Sequence, residues 1–363
     1  MRKYFLDNLR WMIILLLFPY HTFLIYNNLG IEYIIMSTGN TFATAFILLF
    51  SNWFMQLLFA IAGISTFYAL KKRNSTEYLK ERVTKLLIPT IAGIIFVLPV
   101  WVYYGFLYNG YTGSFLTFWW NFISNWFAFL TDPYGSGLGP LWFLVYLFII
   151  SLVALPIIMK YRNGAWRIPL EKINIPYLLL LIIPLSIGSY FLNLAPQKSL
   201  VQFLLLFLFG YFFLSDDGIQ QKLEDRRWPL FITFIGLTAI IILSYVYTVT
   251  QGISLGASSN NPLSVLLINT LVWVAIMGII GMGKRYLEFK NSTTFYLAAA
   301  SFPIYIFHIA WINIAAYYII GFIPGMIALQ MVLIMAISFV MTIATYEFVR
   351  RIKIIRFLFG IKG

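Results

Sequence analysis

The sequence predicts an all-α, polytopic integral membrane protein with about ten transmembrane helices and both termini in the cytoplasm. Three observations carry this. Of 363 residues, 61% are hydrophobic and only 10% are charged, whereas a soluble globular chain carries about 25% charged residues. The apolar residues fall in solid runs, such as LWFLVYLFIISLVALPIIM, and not in the shorter alternating pattern of a membrane β-barrel. Of the 25 Lys and Arg residues, all but Lys198 fall at the two ends of the chain or in every second connection. That asymmetry is what orients a chain in a membrane.

The apolar runs place helices at 8–28, 46–70, 86–107, 139–159, 176–193, 199–214, 229–249, 263–282, 295–319 and 325–347. The connections alternate. Lys71 to Lys85, Lys160 to Lys172, Lys222 to Arg227, Lys284 to Lys290 and the tail Arg350 to Lys362 are basic; the others are polar or aromatic. The net charge of +13 therefore lies on one membrane face. There it orients the chain and meets anionic headgroups or an anionic ligand, and nucleic acid is not implied. One stretch, FLTFWWNFISNWFAFL from Phe115 to Leu130, has 16 residues. It reaches about 24 Å against a hydrocarbon core of about 30 Å. A crossing there would also divide the basic loops between the two faces, so it is predicted to lie at the outer interface.

The first run is long and no A-x-A-like cleavage site follows it, so it is predicted to be a retained helix and not a signal peptide. The chain has no cysteine, which excludes a disulfide framework, a thiolate nucleophile and a Cys metal site. No linker, low-complexity stretch or internal repeat divides it. Residues 1–363 are predicted to be one membrane-embedded domain without a soluble appendage.

Ionisable residues within membrane helices are costly, so each is a functional candidate. Arg10 and His21 lie in the first run, with Asp7 one turn before Arg10; His308 lies in the ninth run and Glu347 at the end of the tenth. Arg10 and His21 are 11 residues apart. On a helix that leaves them about 20° apart around the axis and about 16 Å apart along it. One stripe thus carries a cation near the inner surface and an imidazole deep in the membrane. Asp7 and Arg10, at i and i+3, are placed to pair. Counting along the ninth run puts His308 at a depth similar to that of His21, so both histidines are candidates to line one cavity. Histidine suits general-base work because its unperturbed pKa lies near neutrality. Glu347 is placed to pair with the basic tail. No GxSxG, HExxH, Walker motif or paired acidic metal motif is present, and no metal or cofactor is expected.

FLDNLRWMIILLLFPYH, with Asp7, Arg10 and His21 in register, resembles the opening helix of the membrane acyltransferase family three. ERVTKLLIP, with Arg82 and Lys85 before Pro89, is similar to that family's R-x-x-R-like pair leading to a proline, with Lys in place of the second Arg. GPLWFLVYL around Trp142 resembles the family's Leu-Trp-Phe-Leu segment. SFPIYIFH, ending at His308, and the closing FLFGIK resemble the branch that includes periplasmic glucan succinyltransferases. The resemblance covers nearly the whole chain. It implies transfer of an acyl group, of acetyl or succinyl type, from cytoplasmic acyl-CoA to a hydroxyl of a surface or periplasmic glycan, at the cytoplasmic membrane. On this resemblance the catalytic set is Asp7, Arg10 and His21. Arg82 and Lys85 meet the CoA phosphates, and Trp142, Tyr305 and His308 line the site, where they are candidate donors to an oxyanion. The partners implied are the lipid bilayer, acyl-CoA and the glycan acceptor. Trp119, Trp120 and Trp126 in the outer aromatic stretch offer rings for stacking on sugars, although Trp also gathers at any membrane interface.

The competing class is a transporter or flippase for an envelope-glycan precursor. Pro19 before His21 and Pro303 before His308 are where such a protein would break its helices, while the lack of repeats speaks against it.

Overall fold

The computed structural model describes residues 3–31, 33–126, 138–194, 198–250 and 261–361. Among these the regular structure is helical except for one short antiparallel pair, β1 (Asn193–Leu194) with β2 (Lys198–Ser199), in which Asn193 faces Ser199. The helices used below are α1 (Tyr4–Leu24), α2 (Thr41–Phe50), α3 (Phe54–Leu70), α4 (Ser75–Arg82), α5 (Ile88–Phe96), α6 (Leu98–Tyr108), α7 (Phe115–Ser124), α8 (Trp142–Arg162), α9 (Ile175–Leu179), α10 (Ile182–Gly188), α11 (Leu200–Phe209), α12 (Asp217–Asp225), α13 (Arg227–Thr250), α14 (Pro262–Tyr286), α15 (Ser292–Phe322), α16 (Ile327–Val349) and α17 (Lys353–Leu358).

Seven helical stretches among the described residues are long and apolar enough to cross a membrane, or eight if Leu200–Leu214 and Asp217–Asp225, bent by 95°, count as one. The sequence count of about ten is therefore not reached on length and apolarity. Each sequence-predicted run is nonetheless helical in part. The run at 176–193 is broken: Pro184 has no N–H for the carbonyl of Leu180, and the chain passes through i→i−3 bonds from Leu180, Leu181 and Ile183 between α9 and α10. The run at 199–214 stops at a π-helical turn, Gly210–Leu214. A second π-turn, Val83–Leu87, precedes Pro89, where the missing N–H would otherwise orphan the Lys85 carbonyl. α1 and α15 continue through Pro19 and Pro303 without interruption. α7 is a ten-residue helix capped by Ser114, with Phe118 and Phe122 buried and Trp120 exposed. It is too short to span, as the sequence predicts; residues 127–130 of that stretch lie outside the described residues.

The chain forms two compact units interleaved in sequence. The first comprises Met1–Arg10, Leu48–Lys80 and Tyr146–Asn291. Within it the start of α1 is capped by a carboxylate: the backbone N–H groups of Tyr4 and Phe5 donate to Glu288 at 3.0 and 3.2 Å. That satisfies two of the four donors a helix leaves open and puts negative charge at its positive end. The Asn8 side chain donates to the carbonyls of Leu287 and Phe289, and Lys3 pairs with Asp217 at 2.7 Å. α3 meets the Leu200–Leu214 stretch backbone to backbone. A Cβ on Gly63 would lie 1.9 Å from the Phe207 carbonyl oxygen, and one on Gly210 would lie 2.1 Å from that of Ala60. Small residues at this contact let dispersion accumulate where lipid removes the hydrophobic drive between helices.

The second unit comprises Trp11–Ile47, Glu81–Val145 and Ser292–Gly363. α15 is its axis and packs on α16 and α6. Its middle is buried almost without interruption from Ala300 to Ala316. Several polar side chains inside this unit are tied across elements. Tyr26 donates to Gln330 at 3.0 Å, Trp311 to Thr345 at 2.9 Å, and Asn313 to the Trp101 carbonyl at 2.9 Å.

Candidate functional site

The sequence-predicted site residues divide between the two units. Asp7 and Arg10 belong to the first. Their side chains pair at 3.1 Å, and Arg10 also donates to Ser65 Oγ of α3 at 2.9 Å. The guanidinium is thus held by a carboxylate one turn back and by a hydroxyl from a second helix. Ser65 escapes sequence reading, because a serine in an apolar run carries no spacing signal until the helices are packed.

The remaining residues lie in the second unit. Glu81 and Lys85 form a close ion pair at i and i+4 beside the π-turn, and the carboxylate offsets part of the charge on Lys85. The Arg82 Nε is buried on the adjoining turn. Trp142 opens α8 and is 8% exposed.

His21 and His308 stand next to each other with ring centroids 5.2 Å apart. His308 is fully buried, and Phe18 meets it edge-on at 5.9 Å. Its Nδ1 lies 2.7 Å from the Tyr305 carbonyl oxygen. A carbonyl only accepts, so Nδ1 carries the hydrogen, and in the neutral ring the lone pair belongs to Nε2. That Nε2 is buried without a hydrogen-bond partner, as is His21 Nδ1. His21 is partly exposed, which gives one ring of the pair access to an incoming molecule.

Three further polar groups complete this cluster, and sequence reasoning missed all three. The Tyr33 ring is 6.1 Å from His21, and Trp101 is 6.4 Å from Tyr33. Asn313, on α15 beyond His308, holds the Trp101 carbonyl. Tyr33 Oη and Trp101 Nε1 adjoin each other but form no hydrogen bond of ordinary geometry, and Asn313 Oδ1 is likewise buried and unpaired. Most buried polar groups in proteins are satisfied, so a knot of unsatisfied ones marks a place where something else binds. The signals in the sequence are slight: a Trp and an Asn in apolar runs, and an apolar LGIEYII where a loop was expected.

Tyr305 does not face this cluster with a free hydroxyl hydrogen, because it donates to the Pro140 carbonyl. That carbonyl is set by the turn at Gly139, whose φ of +45° only glycine adopts without strain. A Cβ there would lie 2.5 Å from the Trp101 ring. The GPLW segment therefore braces Trp101 and Tyr305. Among the described residues no group of three His, Asp or Glu is placed to hold a metal ion.

Comparison with known proteins agrees in extent. An acyltransferase domain family, acyltransferase 3, matches residues 3–347. Glucans biosynthesis protein C of Shigella dysenteriae serotype 1 (strain Sd197) and of Escherichia coli (strain K12) are each 24% identical over 388 residues, covering 99% of this chain and 94% of the relative. No solved structure matches. With its family matched over nearly its whole length, this chain of apolar helices belongs to the acyltransferase-3 family.

Proposed function

We propose that this protein is a multi-pass enzyme of the cytoplasmic membrane that moves an acyl group, of acetyl or succinyl type, from acyl-CoA to a hydroxyl of an extracytoplasmic glycan. The observation that carries the proposal is the adjacent pair His21 and His308, each with a buried nitrogen lacking a partner. Support for a glycan acceptor comes from the glucan in the names of its relatives. In this scheme about ten helices cross the membrane with both termini inside. Basic loops face the cytoplasm, where Arg82 and Lys85 are the cations for the CoA phosphates and Arg10, on the first helix, is a cation for the donor. Arg10 lies about 16 Å below His21 along α1, a distance suited to the thin arm of the donor.

The chemistry follows from the two imidazoles. His21, the accessible one, takes the proton of the sugar hydroxyl as the oxygen attacks the thioester carbon. His308 presents its Nε2 lone pair beside it and stabilises the proton-bearing His21. Collapse of the tetrahedral intermediate breaks the C–S bond, and the proton passes to the departing thiolate. Exclusion of water from this site favours the sugar over hydrolysis.

The test is transfer of label from radioactive acetyl-CoA and succinyl-CoA to a glucan oligosaccharide in membranes, comparing wild type with His21→Ala at matched expression. Transfer by wild type and none by the variant is the expected result; equal labelling would remove His21 from the chemistry. A smaller effect is expected at Ser65. With Ser65→Ala the Arg10 guanidinium loses a fixed partner, so the donor KM should rise about twofold to tenfold, the range for loss of one ordinary hydrogen bond, with kcat unchanged. A fall in kcat alone would place Arg10 in the reaction and not in binding.

A further inference from the structure

The segment between α1 and α2 is a loop that turns inward. Asn27 accepts from the backbone N–H groups of Leu29 and Ile31, Asn109 donates to the Ile34 carbonyl at 2.8 Å, and the Tyr108 hydroxyl donates to that of Met36 at 3.0 Å. Gly105 leaves room for Ile34, which would sit 2.4 Å from any Cβ there. Loops ordinarily run over the surface, yet this one delivers Tyr33 to a position only 8% exposed, beside His21.

Nothing in the packing requires the Tyr33 hydroxyl. A phenylalanine would fill the space without burying an unsatisfied group. Trp101, its neighbour, carries an indole N–H that only donates. Where that donor leans on the Tyr33 oxygen, the Tyr33 hydrogen is directed away from Trp101.

We infer that the Tyr33 O–H, backed by the Trp101 indole, donates to the acyl carbonyl oxygen as charge develops on it beside His21. The inference rests on the transfer reaction proposed above. In that step the sugar oxygen bonds to the thioester carbon, its proton goes to His21, and the carbonyl electron pair moves onto the oxygen that Tyr33 meets. The carbonyl then re-forms as the C–S bond breaks, and the proton on His21 passes to the CoA thiolate. A fixed donor in a dry site stabilises that oxyanion with no reorganisation at the moment of reaction. The hydrogen bond from Asn313 to the Trp101 carbonyl ties the donor side of the site to α15, the helix that carries His308.

The test uses the purified full-length protein in lipid nanodiscs, with labelled acetyl-CoA and succinyl-CoA and a glucan oligosaccharide. Tyr33→Phe should lower kcat by about 10²–10³-fold, the usual loss of one oxyanion donor. Both KM values should stay within about twofold, since the interaction belongs to the transition state. Its thermal midpoint should stay close to that of the wild type, because a buried unsatisfied hydroxyl has gone while the Trp101 N–H loses its neighbouring oxygen. Trp101→Phe should lose less, in the same sense. If Tyr33→Phe keeps kcat within about threefold while His21→Ala is inactive, the inference fails and the transfer reaction stands. A Tyr33→Phe variant whose activity falls only in step with its folded fraction would make the residue a brace and also overturn the inference. Full activity in His21→Ala would overturn the transfer reaction itself.

Discussion

Replacing His308 by Phe is expected to lower acyl transfer by about 10²–10⁴-fold, the range for loss of a positioned acid–base group. The ring keeps its edge contact with Phe18 and the hydrophobic volume, so folding should survive. What disappears is the Nε2 lone pair beside His21 and the Nδ1–H bond to the Tyr305 carbonyl. Without a second imidazole, the proton taken from the sugar rests on His21 alone until the thiolate leaves. The measurement is single-turnover transfer from labelled acetyl-CoA at saturating acceptor, which isolates chemistry from product release. A rate within a few-fold of wild type would show that His308 only packs. His308→Gln, which restores polar atoms without a titratable lone pair, should not rescue the rate.

The second large effect is on stability. Gly63→Ala places a methyl group 1.9 Å from the Phe207 carbonyl oxygen. Backbone cannot move aside as a side-chain tip can, so α3 and the Leu200–Leu214 stretch must separate. Overpacking typically costs about 1–3 kcal/mol, and here it also opens the facing contact at Gly210. Gly63→Ala should therefore lower the thermal midpoint in detergent sharply and reduce the recovered monodisperse protein. Gly236→Ala on α13, where a Cβ meets nothing within 4 Å, is the matched control and should be neutral or slightly stabilising. Equal behaviour of the two variants would show that the α3 contact yields.

Much of the helical layout is legible in the sequence because hydropathy is a property of single residues added along the chain. The runs at 46–70, 229–249 and 263–282 need no knowledge of their neighbours. Break points are less legible. The run at 176–193 reads as one span, yet Pro184 withholds its hydrogen bond and splits it, a local event that average apolarity hides. The Leu200–Leu214 stretch ends where the run at 199–214 does, but through a π-turn at Gly210–Leu214 that composition does not signal.

The candidate site divides in the same way. Asp7, Arg10, His21 and His308 stand out because an ionisable group in an apolar run costs free energy that only pairing or use can offset. Helical periodicity then puts Arg10 and His21 on one stripe, and simple counting gives the two histidines a common depth. Tyr33, Trp101 and Asn313 do not stand out, since a tyrosine, a tryptophan or an asparagine is ordinary in such a chain. Only packing leaves their polar atoms buried and unpaired. Ser65 becomes a partner of Arg10 for the same reason, whereas the Glu81–Lys85 pair, at i and i+4, follows from the helical repeat.

The sequence by itself determined that the chain is built of apolar helices, and which few ionisable groups it tolerates among them. Those follow from the cost of charge in hydrocarbon and from the helical repeat, both local. The tertiary structure decided that His21 meets His308 at 5.2 Å, that the nitrogen free to act on His308 is Nε2, and that a loop tyrosine joins them. Those depend on which surfaces meet across long stretches of chain, and no residue carries that information alone.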